Sequence, residues 1–143
     1  MKIPLLKLDA ELPTPGYAHP GDGGVDLYAR DTTPLAPGEW AVVATGVAMA
    51  IPEGHAGLVG PRSGLAARHG LSVVNGPGLI DAGYRGEIRV ILINHGTEEV
   101  TLERGERIAQ LIVVPVVEQQ FVVVDELPPS TRGPGGFGST GQH

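Results

Sequence analysis

Cysteine is absent from the 143 residues, which removes disulfides and thiolate metal sites from consideration. Aromatic side chains make up 4% of the chain against a hydrophobic share of 41%, so a core must be built mainly from Val, Ile, Leu and Ala. Positive charge is scarce. With 10 Lys and Arg against 16 Asp and Glu the formal net charge is −6, a balance that opposes coating nucleic acid. It does not oppose a small anionic ligand, because a few clustered arginines outweigh a distant acidic background. No apolar run approaches the ~20 residues needed to span a bilayer. The opening Met1-Lys2-Ile3-Pro4-Leu5-Leu6-Lys7 carries no signal-peptide stretch. These absences lead us to expect a single cytoplasmic domain with neither a membrane nor a nucleic-acid partner.

Glycine (22) and proline (13), by contrast, are abundant, and they fall between short apolar runs. That distribution reads as many turns joining many short strands. Strands are expected over Ile3–Leu8, Val25–Ala29, Trp40–Ala44, Val47–Ile51, Ala56–Val59, Leu71–Val74, Glu87–Ile93, Val100–Leu102, Ile108–Val117 and Phe121–Val124. Turn signals such as Pro52-Glu53-Gly54 and Asn94-His95-Gly96 separate them. The fold class is therefore all-β, a sandwich, jelly roll or barrel. One short helix is expected from Ser63 to His69, with Ser63 as N-cap and Gly70 beyond its C-terminus. Residues 128–143 hold almost nothing to bury and, taken alone, read as a disordered tail.

Five segments carry residues suited to chemistry, and each also has a plain structural account. Gly23-Gly24-Val25-Asp26-Leu27-Tyr28-Ala29 sets one carboxylate among apolar residues, where a charge needs a partner; local amides at a strand end would serve. Gly60-Pro61-Arg62-Ser63-Gly64-Leu65-Ala66 brings an arginine fork to free helix N–H groups, which suits a phosphate, or is an ordinary serine cap. The stretch from Asn75 to Glu87 surrounds Asp81 and Tyr84 with four glycines and a proline in an expected hairpin. Such a hairpin presents backbone N–H and C=O groups to a flat polar ligand, or is a long decorated turn. Arg107-Ile108-Ala109-Gln110-Leu111-Ile112-Val113 is a core strand with two polar residues in it, which a structural ion pair would also explain. The fifth runs from Arg132 to Gly141 and nearly spells a phosphate-binding loop, but Ser139 stands where lysine belongs and no strand precedes it. What remains is an arm with one arginine, one aromatic ring and hydroxyls.

In this order the five segments resemble the five motifs of the trimeric dUTPase family. The match runs from about Gly23 to Gly141, with Gly78-Leu79-Ile80-Asp81-Ala82-Gly83-Tyr84-Arg85-Gly86 nearly unbroken. The resemblance implies a jelly-roll-like distorted β-barrel over residues 1–127 and a C-terminal arm over 128–143. It implies a homotrimer in which each active site is built from all three chains. The implied reaction is hydrolysis of dUTP to dUMP and pyrophosphate with Mg²⁺, which keeps uracil out of DNA and supplies dUMP for dTMP synthesis.

By the same resemblance Asp81 is the catalytic aspartate that deprotonates the water attacking the α-phosphorus. Asp26 helps hold Mg²⁺, through bound water. Asn75 and the backbone of Gly78, Leu79 and Ile80 would take uracil, and Tyr84 would pack on the deoxyribose and exclude a ribose hydroxyl. Arg62, Ser63, Gly64 and Gln110 would bind phosphates, with Arg107 an additional pocket residue and Arg89 in the substrate shell. From the arm, Phe137 would cover the base while Arg132, Ser139 and Thr140 grip the terminal phosphate, with Gly138 also in the substrate-binding set. Gly23 departs from the alanine often found there. A dCTP deaminase on the same fold is the nearest rival, but it calls for a serine where Gly64 stands and a glutamate shuttle by the base. A silent dUTP-binding protein would not need the carboxylate of Asp81. The five histidines show no metal-ligand spacing.

Overall fold

The computed structural model describes residues 1–136, and within them the chain forms eleven strands and one helix. Four sheets result. The first pairs β1 (Leu5–Lys7) with β5 (Val47–Met49), and the second pairs β3 (Thr33–Leu35) with β10 (Val100–Leu102). The third runs β4 (Trp40–Ala44), β9 (Arg89–Asn94), β7 (Leu71–Val73). The fourth, which positions the site, runs β2 (Val25–Tyr28), β11 (Arg107–Pro115), β6 (His55–Gly60), β8 (Gly78–Ile80), all antiparallel.

The all-β class is as expected, but the barrel does not close into one continuous ladder. The physical reason lies in the connections. Between β5 and β6 the chain changes sheet at Pro52-Glu53-Gly54, where proline cannot donate to a ladder and Gly54 takes a φ of 73°. Between β6 and β7 it changes again through helix α1 (Ser63–His69). The interior is aliphatic, as the low aromatic content requires: Leu27, Leu35, Ile51, Ile88, Val90, Leu102 and Ile108 are all buried in one cluster. Two buried polar groups are satisfied, Thr45 Oγ1 donating to the Ile88 carbonyl at 2.6 Å and Asn94 Nδ2 to those of Leu35 and Glu98 at 2.9 and 2.8 Å.

Several expectations are corrected. Ser63 is not the N-cap: Arg62 holds that position with extended backbone and no side-chain capping bond, so Ser63 is the first helical residue. Gly70 ends the helix in the left-handed conformation, as expected. Phe121–Val124 forms no strand, because no ladder within the described residues receives it, and Phe121 and Val123 are 87% and 98% exposed. Two strands lay hidden under turn-forming residues, β3 around Pro34 and β8 directly after Gly76-Pro77. The segment from Asn75 to Glu87 is not a self-paired hairpin, since β8 joins β6 while the chain beyond it enters β9 of another sheet. No helix among the described residues is long and apolar enough to cross a membrane.

Candidate active site

The sheet register brings residues from three separate segments into one row. Asp26 on β2 stands opposite Gln110 on β11, and Gln110 stands opposite Gly60 at the end of β6, shortly before Arg62. Strand alternation alone would send Arg107 and Gln110 to opposite faces, because they are three residues apart. A β-bulge between Arg107 and Ala109 adds the missing step, so Arg107 pairs with Tyr28 and shares a face with Gln110 and Asp26. Gly24 permits the close approach of β2 to β11: a β-carbon there would lie 3.2 Å from both the Leu111 carbonyl oxygen and Ile112 Cγ1.

Gly24, Asp26, Arg62, Arg107 and Gln110 line a polar cleft of about 450 Å³ together with His19, Asp22, Ser63, Gly64 and Arg68. Asp26 is mostly buried, and both its oxygens are engaged. Arg62 Nε lies 2.9 Å from Oδ1 and Arg107 Nε lies 3.6 Å from Oδ2. Arg62 Nη1 donates to the Arg107 carbonyl at 3.3 Å, and Gln110 Nε2 donates to the Pro61 carbonyl at 2.9 Å. Three arginines against Asp22 and Asp26 make this cleft locally positive on a negative chain, the electrostatic requirement for a polyphosphate. Arg68 was missed from the sequence, although it stands four residues after Gly64 on α1, and its guanidinium folds back over that glycine.

A second, smaller cavity of about 160 Å³ gathers Leu79, Ile80, Asp81, Tyr84, Glu87 and Arg89. Asp81 follows directly on β8, exposed and without a cation partner among the described residues. Its carbonyl accepts the Tyr84 N–H at 3.0 Å, and Arg85 Nη1 donates to the carbonyls of Ala82 and Tyr84 at 2.6 and 2.8 Å, closing the turn. The Tyr84 hydroxyl donates to the Glu87 carbonyl at 2.9 Å. Asn75 is exposed and its amide faces Gly78, with Nδ2 3.5 Å from where a β-carbon would stand. Leu79 is exposed at the lip and Arg89 pairs loosely with Glu87 at 3.6 Å.

The two groups do not meet within one chain. Val25, Leu111, Val59 and Gly78 form a continuous row across the sheet, so β2 and β8 lie three strand spacings apart, about 14 Å. Asp26 falls in the row of Gly60 and Asp81 beyond that of Gly57, which extends the separation to roughly 20 Å. Arg132 belongs to neither group; its Nε donates to the Gly135 carbonyl at 3.0 Å. Phe137, Gly138, Ser139 and Thr140 lie outside the described residues.

Known proteins share both the sequence and the fold. A dUTPase family model matches residues 9–141. The deoxyuridine 5'-triphosphate nucleotidohydrolase of Thermobifida fusca (strain YX) is 57% identical over 144 residues, covering 100% of this chain and 80% of that one. The Staphylococcus bacteriophage 80alpha dUTPase with dUPNHPP superposes with a TM-score of 0.90 at 31% identity, covering 98% of each chain. A point mutant of the dUTPase from phage phi11 of S. aureus, described with a structural Mg(II) ion, superposes at 0.82 with 27% identity, covering 88% of this chain and 98% of that one. The chain belongs to the dUTPase family.

Proposed function

We propose that this chain hydrolyses dUTP to dUMP and pyrophosphate at a site completed between the chains of a homotrimer. The observation that carries the reading is the division of the site residues into two groups, one around Asp26 and one around Asp81, roughly 20 Å apart. A carboxylate that activates water acts within hydrogen-bond reach or through one water, and roughly 20 Å is beyond that reach from the phosphate cleft. Two copies that set the β8 edge of one against the β2 edge of the next would bring Asp81 to the triphosphate. Residues 116–124, with exposed Val117, Phe121, Val122 and Val123 and no ladder among the described residues, are also suited to burial against a neighbour.

In this reading Asn75 and the backbone of Gly78, Leu79 and Ile80 hold uracil. Cytosine would leave a polar group unpaired, at a cost of ~1–3 kcal/mol. Tyr84 packs on the deoxyribose and rejects a ribose hydroxyl. Arg62, Ser63, Gly64, Arg107 and Gln110 hold the phosphates. From the arm, Arg132, Ser139 and Thr140 grip the terminal phosphate, Phe137 covers the uracil, and Gly138 belongs to the same substrate-binding set. Asp81 orients a water and takes its proton as the oxygen bonds to the α-phosphorus and pyrophosphate leaves. A carboxylate is a weak base, so most of the acceleration comes from position and charge neutralisation. The donor set fits Mg²⁺ held through water. Both Asp26 oxygens already meet arginines, and no group of three or more metal-ligating side chains exists among the described residues, so the phosphates would supply the direct oxygens. When bound, Mg²⁺ supplies neutralisation of phosphate charge beside Asp26.

Subunit mixing tests the division of the site. Asp81→Asn and Arg62→Ala, each inactive alone, are unfolded and refolded together in equal amounts. Pyrophosphate release should recover to about a quarter of the wild-type rate, since a ring of copies then contains interfaces with both residues intact. No recovery in a refolded, assembled mixture would overturn the shared site.

A further inference from the structure

Glu87 ties two distant places in the chain, Gly46 and Arg30, to its near neighbours Tyr84 and Arg89. Its carboxylate accepts the Gly46 N–H at 2.9 Å and pairs with Arg30 at 3.2 Å and with Arg89 at 3.6 Å. Its backbone carbonyl accepts the hydroxyl of Tyr84 at 2.9 Å. The side chain is only 11% exposed, although it lines the small cavity beside Asp81. Arg30 is held in turn by Asp9 at 3.6 Å, and Asp9 also meets Arg104 at 2.7 Å. On its other side the Tyr84 ring lies against Gly86, where a β-carbon would come within 2.5 Å of the hydroxyl oxygen.

The tyrosine hydroxyl is thus tied to a backbone carbonyl whose own position is fixed by the attached carboxylate. We propose that Glu87 is a positioning residue for sugar selection: its carboxylate, anchored on the Gly46 amide and Arg30, holds the carbonyl that sets the Tyr84 ring against the deoxyribose. This rests on the reading above in which Tyr84 excludes ribose. The effect is one of geometry, because a ring released from its carbonyl leaves room for a 2′-hydroxyl that it otherwise blocks.

The test compares kcat/KM for dUTP and for UTP in the wild type, Glu87→Ala and Glu87→Gln, with melting temperatures as the control for folding. Glu87→Ala should lower the dUTP-to-UTP ratio about 10-fold, chiefly by raising turnover of UTP relative to dUTP. Glu87→Gln is isosteric and keeps an acceptor for the Gly46 amide while losing the charge pairs, so it should fold and lower the ratio about threefold. An unchanged ratio in every variant that folds, or a parallel loss on both nucleotides, overturns the positioning role alone. A wild-type enzyme that turns over UTP as fast as dUTP overturns the sugar-selecting role of Tyr84, and the role of Glu87 with it.

Discussion

The chemistry of Tyr84 depends on a residue with no side chain. Gly86 does not take an unusual backbone conformation; it is glycine because the tyrosine ring occupies the space a β-carbon would fill, with Cζ 2.7 Å from that position. Gly86→Ala should therefore displace the ring and lower kcat/KM for dUTP by roughly 10- to 100-fold, the scale of an ångström's misplacement at a reacting centre. Circular dichroism should report an intact fold, and an unchanged kcat/KM would show that the ring moves without consequence. At this scale much was legible. The cluster Gly78 to Gly86 announced a special backbone around Asp81 and Tyr84, and Asp26 among apolar neighbours called for a partner, which is the guanidinium of Arg62 and not the local amides that would also have served. Glu87 and Arg30 were not legible, because 57 residues separate them and nothing local marks either as the other's partner. Ser63 was misread for a different reason. Its residue type favours the cap position, but Arg62 already holds the extended backbone that defines it.

Strand identity followed from the apolar pattern wherever the pattern was clean. β4 and β10 have the boundaries expected of them, and β11 is the apolar run around Ile108–Val113. Pairing did not follow. The bulge near Ile108 that turns Arg107 toward Asp26 is a property of two strands together, and the removal of β8 from its neighbour in sequence to the edge of β6 depends on where β6 lies. Proline in β3 and glycine in β8 concealed both, since each residue type is depleted in strands and each tolerated at an edge. Away from the site, Asp9 and Glu11 fasten the N-terminal segment to Arg104 in the β10–β11 turn. The hydrogen bond from Arg104, at 2.7 Å, holds the Asp9 carboxyl down from the usual 3.8 to about 2, with Arg30 adding to the effect. A carboxyl whose folded value is depressed contributes stability above its unfolded value, and that contribution is lost as pH falls toward the folded one. Stability should accordingly decline between about pH 4 and pH 2, and Asp9→Asn should be less stable at neutral pH with a shallower decline in that window. Denaturant midpoints at several pH values check this; identical slopes in the two proteins would contradict it.

Across the whole molecule, the acidic balance and the positive cleft are complementary facts. A net charge of −6 discourages indiscriminate binding of polyanions, while Arg62, Arg68 and Arg107 concentrate the positive charge where a triphosphate would lie. Arg62 and Arg107 gather around Asp26 of β2, while Asp81 follows β8 at the other edge of that sheet, so a single chain presents two halves of a site about 20 Å apart. Assembly, on this account, is a condition of catalysis, and the sequence suggested it only through the family it resembles. No periodicity or composition discloses which edge meets which neighbour. The most direct measurement is pyrophosphate release from dUTP, with dCTP, dTTP and UTP in parallel, first with Mg²⁺ and then with chelator. Rapid release from dUTP alone is expected, with a marked loss of rate in chelator. Release from dTTP or UTP at a comparable rate, ammonia from dCTP, or dUTP bound without release would contradict it.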